Sequence, residues 1–170
     1  MWIDAPGADL RIQQMKCSDI TRTALLSLRN TGIAIIPNLL PSETCDGIVG
    51  EFRNYCAEHP EHADFMDENG LHDRLANLPI YSVAAQAAAL NSSVLEVVEA
   101  AFESRADIVG SLYFERGSGQ NIHRDTPAFY TIPLNRYFGV WHALEDIHPD
   151  SGALTYYEGG HLVSPDKDYL

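Results

Sequence analysis

Between Cys45 and Cys56 the apolar positions Cys45, Ile48, Val49, Phe52 and Cys56 recur every three or four residues. That spacing stacks them on one stripe of a helix within PSETCDGIVGEFRNYCAEH (41–59). Gly47 and Gly50 weaken that helix without breaking it. Three more helices are predicted. DITRTALLSLRN (19–30) has Ser18 as an N-cap and Gly32 just past its end. Residues 82–90 are Ala-rich, and NSSVLEVVEAAFES (91–104) carries Ser93-x-x-Glu96 at capping-box spacing. GIAIIP (32–37), a continuous apolar run closed by Pro37, predicts a buried strand. Residues 1–17 have weak periodicity and predict a loosely held arm. Residues 59–80, rich in His, Asp, Asn and Pro, predict an ordered loop able to serve as a flap.

After residue 106 the pattern changes to β. DIVGSLYFE (107–115) predicts a strand ended by GSG at 117–119. NIHRD (121–125) is a short extended piece, and RYFGVWHALED (136–146) and GALTYYE (152–158) predict two further strands bounded by turn residues. Helices first and antiparallel strands after is the ordering of an α+β or mainly β chain, not of alternating β/α units. One domain over 1–170 is expected, with arm and helices in 1–106 and the sheet core in 107–170.

Charge narrows the partners. There are 24 acidic against 11 basic residues, a formal net charge of −13, which argues against nucleic acid or an anionic membrane surface. A pocket that is locally basic stays compatible with that total. The N-terminus MWIDAPGADL lacks a basic stretch followed by an apolar one, and no apolar run is long enough to span a bilayer. The three cysteines have no zinc-like spacing, so a reduced, cytoplasmic chain is expected.

His123-x-Asp125 carries the chemistry. On an extended segment residues i and i+2 share a face, so an imidazole and a carboxylate aim at one point. These are two of the three protein ligands of the facial triad of non-haem Fe(II) oxygenases. Alone the spacing is weak, and an ordinary loop His–Asp pair is the competing reading. Four phrases in order add to it. GIAIIPNLLPSETCDGI (32–48), Gln120-x-x-His123-x-Asp125-Thr126, Val140-Trp141-His142-Ala143-Leu144-Glu145-Asp146, and Ser151-Gly152-Ala153-Leu154 with Gly159-Gly160-His161 together resemble the phytanoyl-CoA dioxygenase family of Fe(II)/2-oxoglutarate oxygenases.

The resemblance implies a double-stranded β-helix, a cupin-like jelly roll with helices packed outside. It implies Fe(II) and 2-oxoglutarate as cofactors, the latter consumed with dioxygen to give succinate, and a small-molecule substrate. His123 and Asp125 are the implied metal ligands. Gln120 and Trp141 are implied beside the cosubstrate, which leaves His142 on the outside. A carboxylate at Asp125 implies hydroxylation, because halogenating relatives have a small residue there.

The sequence also departs from the family pattern. The family's third ligand is a His on a late strand, followed by an Arg that pairs with the 2-oxoglutarate 5-carboxylate. Here the chain ends at Leu170 soon after the GGH turn, so the jelly roll is expected to be incomplete. His161 is the local candidate for a third metal ligand, with His142 and His148 behind it; a second metal site among His59, His62 and His72 is a remoter candidate. Glu158 and Gly160 replace the family's Pro and Ser in the turn, with no account of why. Three readings stay open: a piece of a longer oxygenase, a short chain with a third ligand of its own, and a non-catalytic metal-binding or assembly protein. Open sheet edges make pairing with a second copy an expectation of all three.

Overall fold

The computed structural model describes residues 1–62, 65–66, 72–116, 120–125, 129, 131–132, 136–151 and 153–163. Five helices are present among them: α1 Ala8–Gln14, α2 Asp19–Thr31, α3 Ser42–Glu58, α4 Val83–Ala89 and α5 Ser92–Phe102. Three short strands, β1 Phe65–Met66, β2 His72–Ala76 and β3 Leu112–Phe114, form one antiparallel sheet in the order β1-β2-β3. Arg74, Leu75 and Ala76 of β2 pair with Phe114, Tyr113 and Leu112 of β3. The described part is therefore helical with a small antiparallel sheet; the expected α+β composition is present, and a jelly roll is not seen among these residues.

Two apolar clusters form the interior. In the first, Ile48, Phe52 and Cys56 of α3 meet Leu75, Leu78, Ala85, Ala88 and Tyr113, with Leu144 packed against them. The Phe52 and Tyr113 rings stack at 3.9 Å between centroids. In the second, Ala24, Leu25 and Leu28 of α2 meet Ile3, Ile12, Val97 and Ala101, with Phe138 alongside. The helical periods read from α2, α3 and α5 are the periods of these buried faces.

The cap of α2 is as expected. Ser18 Oγ accepts from Thr21 N, and Gly32 closes the helix with φ +83, a left-handed conformation that favours glycine. The capping box of α5 is not formed. Asn91 is its N-cap, accepting from the N–H groups of Ser93 and Val94, and Glu96 reaches instead to Ser18. A carboxylate offered two donors by a neighbouring helix leaves its local partner.

Four expectations are overturned. Residues 1–17 are not a loose arm: Ile3 and Ile12 are among the most buried side chains. Two arginines of α2 hold this segment. Arg22 donates to the carbonyls of Ile12, Gln13 and Met15, and Arg29 to those of Ile3 and Ala5 and to Asp9. Such long-range bonds leave no periodic trace in a sequence. GIAIIP is not a buried strand, and Ile35 is 85% exposed. The hydroxyls of Ser27 and Thr31 take the Ile33 carbonyl, and Thr31 Oγ1 takes the Ile33 N–H, so α2 satisfies the backbone that a ladder would need. Within 59–80, expected as loop, lie β1, β2 and two short 3₁₀ turns. No strand is present at 136–151 or 153–158 among the described residues. No helix among the described residues is long and apolar enough to cross a membrane.

Candidate functional site

The segment 120–125 has no strand partner among the described residues, yet its two chemical side chains converge. His123 Nε2 lies 3.3 Å from Asp125 Oδ1, and both side chains are half exposed. His123 Nδ1 is 2.7 Å from the carbonyl of Asn121. A carbonyl can only accept, so Nδ1 carries the proton of that bond. Nε2 is then turned to the carboxylate with its remaining lone pair or a second proton. Either way the gap between Nε2 and Oδ1 is a place for a positive species, a proton or a metal ion. A backbone carbonyl orienting a histidine through its other nitrogen is the usual support for a metal ligand.

The donor set fits an Fe(II)-type ion. Two N/O ligands at right angles, each about 2.1 Å from an ion, stand roughly 3.0 Å apart, close to the separation observed here. Neutral imidazole plus carboxylate is the chemistry of two positions of the facial triad. No group of three or more His, Cys, Asp or Glu side chains able to hold a metal occurs among the described residues.

The neighbours of Asp125 are aromatic. Phe129 N donates to the Asp125 carbonyl at 3.0 Å, and the Phe129 ring stacks on Tyr137 at 4.6 Å with the planes 8° apart. A Cβ on Gly139 would lie 3.8 Å from Asp125 Oδ2, an ordinary contact that leaves this oxygen approachable. The phenol pKa values of Tyr137 and Tyr156 are raised, by burial first and by the Asp125 charge second. Sequence reasoning did not single out Phe129, Tyr137 or Gly139.

The other candidates fall as follows. Along 138–145, Phe138, His142 and Leu144 are half-buried, while Gly139, Val140, Trp141, Ala143 and Glu145 are exposed. His142, expected outside, is the more buried of the Trp141–His142 pair, and burial lowers its imidazole pKa. The inward face of this segment is chosen by the apolar clusters, which Phe138 and Leu144 complete. Trp141 is 53% exposed. Gln120 is exposed. His161 lies against the helical layer: its Nε2 is 3.3 Å from the Arg29 carbonyl and 3.8 Å from Asp4 Oδ1, and its ring covers Gly32. His148 pairs with Asp150 at 3.5 Å on the surface, and His59 with Glu61 at 3.5 Å. Thr126, Gly117–Gly119, Gly152 and the side chains of His62 and His72 lie outside the described residues.

Comparison with known proteins meets this geometry. A curated protein of Danio rerio, "Phytanoyl-CoA dioxygenase domain-containing protein 1", is 40% identical over 58 residues, which cover 32% of this chain and 20% of that protein. The match thus spans about a fifth of the length of that relative. No solved structure matches the chain. The model of the Phytanoyl-CoA dioxygenase (PhyH) family matches residues 28–169, a stretch that holds α3, the sheet and the His123–Asp125 pair. The chain belongs to the phytanoyl-CoA dioxygenase (PhyH) family.

Proposed function

We propose that this chain carries the metal segment of an Fe(II)/2-oxoglutarate-dependent oxygenase that hydroxylates a small molecule. Family membership points to an enzyme of the dioxygenase kind. One observation carries the finer reading: His123 Nε2 faces Asp125 Oδ1 at 3.3 Å while Nδ1 is held by the Asn121 carbonyl. An exposed ion pair gains little from such an arrangement. A metal site needs it, because the ring must present one chosen nitrogen.

His123 and Asp125 would hold the ion, and the ion with 2-oxoglutarate supplies the oxygen-activating chemistry. His123 offers a neutral nitrogen and Asp125 one negative charge, so the pair leaves part of a dication's charge for an anionic cosubstrate. The Asn121 carbonyl fixes the ring. The stacked rings of Phe129 and Tyr137 give a flat apolar surface near Asp125. Gln120 and Trp141 are the residues assigned to the cosubstrate side. The carboxylate of Asp125 occupies the position that a halogenating site would keep free.

An anaerobic titration with Fe(II) and then 2-oxoglutarate tests the reading through the visible charge-transfer band of the chelate. The band is expected for the wild type and absent for His123→Ala. Tight metal binding with no band would favour a metal-binding protein without oxygenase chemistry. Weak binding and no band would remove the reading for this chain.

A further inference from the structure

We propose that Arg124 is a positioning residue that aims the His123–Asp125 pair, as the first link of a relay ending at the C-cap of α2. The inference rests on the metal reading above. Arg124 stands between the two donors in sequence, is less exposed than either, and turns its side chain to the 160–163 turn. Its guanidinium donates from Nη1 to the Val163 carbonyl at 2.9 Å and from Nη2 to the Gly160 carbonyl at 3.2 Å. A planar fork can span both carbonyls of one short turn, which a lysine cannot do.

That turn, Gly160–Leu162, is seated on a rigid helix end. Gly159 N donates to the Thr31 carbonyl at 2.8 Å, and His161 Nε2 lies 3.3 Å from the Arg29 carbonyl. The His161 ring fills the space over Gly32 so closely that a Cβ there would come within 2.4 Å of Nδ1. Helix α2 is itself fixed by buried Leu25 and by the Ser18–Glu96 bonds.

The described bonds of the two donor residues themselves are short-range. His123 bonds to Asn121 two residues away, and the Asp125 carbonyl to Phe129 four residues on. Arg124 supplies a long-range hold. The contacts run α2 C-cap, His161 turn, Arg124, metal pair. The same relay gives His161 the task of seating the turn, with its Nε2 committed to Arg29, in place of metal ligation.

Mn(II) titration of the full chain, read by the resonance of free Mn(II), tests this with amide exchange of residues 120–125 in the metal-free protein. Arg124→Met keeps the aliphatic stem and removes the fork. It is expected to weaken Mn(II) about tenfold or more, to speed exchange at 120–125, and to leave the melting temperature in place. Arg124→Lys recovers part of the affinity, since one ammonium serves one carbonyl. Gly32→Ala, at the far end of the relay, weakens Mn(II) in the same sense, and the double variant is no worse than the weaker single. Equal Mn(II) affinity and equal exchange in wild type and Arg124→Met would overturn the relay alone. A loss that merely follows the melting temperature down would overturn it too. A wild type that binds no Mn(II) removes the metal reading and the relay with it.

Discussion

The carboxylate of Glu96 on α5 accepts the Ser18 N–H at 3.0 Å and the Ser18 hydroxyl at 2.8 Å, so the N-cap of α2 is also its tie to α5. The Ser18 backbone bond, then its hydroxyl bond, lower the Glu96 pKa. Glu96→Gln keeps the shape and loses the charge, and should lower unfolding free energy by about 1 kcal/mol in urea at neutral pH. Because the folded pKa is depressed, this contribution is complete above the unfolded value, about 4.3, and fades as pH falls through the folded one. The gap between wild type and Glu96→Gln should therefore narrow in acid. A gap that is constant down to the acid limit would show that charge plays no part.

Arg29 should prove the main fastening of the N-terminal segment. It reaches the Ile3 and Ala5 carbonyls and Asp9, while Trp2 Nε1 donates to Ala100 at 3.1 Å. Arg29→Met strands two carbonyls and an acid, at a cost of about 2 kcal/mol. Trp2 reports the result: in a Trp141→Phe background, acrylamide should quench its fluorescence more readily in the variant. Unchanged quenching and stability would mean that the apolar seat of Ile3 and Ile12 holds the segment unaided.

The legible parts of this fold are those that bury a periodic face. Helices α2, α3, α4 and α5 could be read from the sequence because each lays one stripe on a cluster. The short α1 and the fastened N-terminus could not, since Arg22 and Arg29 do their work through carbonyls of no sequence signature. GIAIIP misled because an apolar run looks the same whether a ladder or side-chain hydroxyls satisfy its backbone. For the site, i and i+2 spacing made the His123–Asp125 convergence readable. The aromatic wall and the Arg124 fork depend on residues brought in from 129, 137, 160 and 163, and no local pattern announces them.

High pH should loosen the first cluster. Burial and the Tyr81 hydrogen bond push the Tyr55 pKa up to about 12. Burial first, then the hydrogen bond to Glu115, push Tyr113 up as well. A raised pKa means that the folded state keeps the proton, so the stabilisation is complete below the unfolded value of about 10 and is lost as pH rises through the folded one. Melting temperature should fall above about pH 10, and the tyrosinate absorbance should show a late fraction that appears with unfolding. Tyr113→Phe removes one of these groups along with its bond to Glu115 at 2.7 Å, and should flatten the alkaline decline. A simple titration of all tyrosines before unfolding would contradict the assignment.

His123 and Asp125 should behave as one unit toward metal and as almost nothing toward stability. Their side chains are 50% and 49% exposed, and an ion pair so open is worth about 0–1 kcal/mol to the fold. Each alanine variant should therefore melt close to the wild type. Mn(II) binding should respond otherwise, because removing either donor takes away half of the paired set. The two single losses should be large, and the double variant should add little, so that the coupling energy is comparable with either single effect. Gly139 supplies an internal control. Alanine there meets Asp125 Oδ2 at an ordinary 3.8 Å and should leave affinity within about twofold. Independent, additive losses in the cycle would mean that the two side chains serve separate ions or none. Coupled losses at unchanged stability are the signature of two ligands on a single ion, and a surface ion pair cannot produce them.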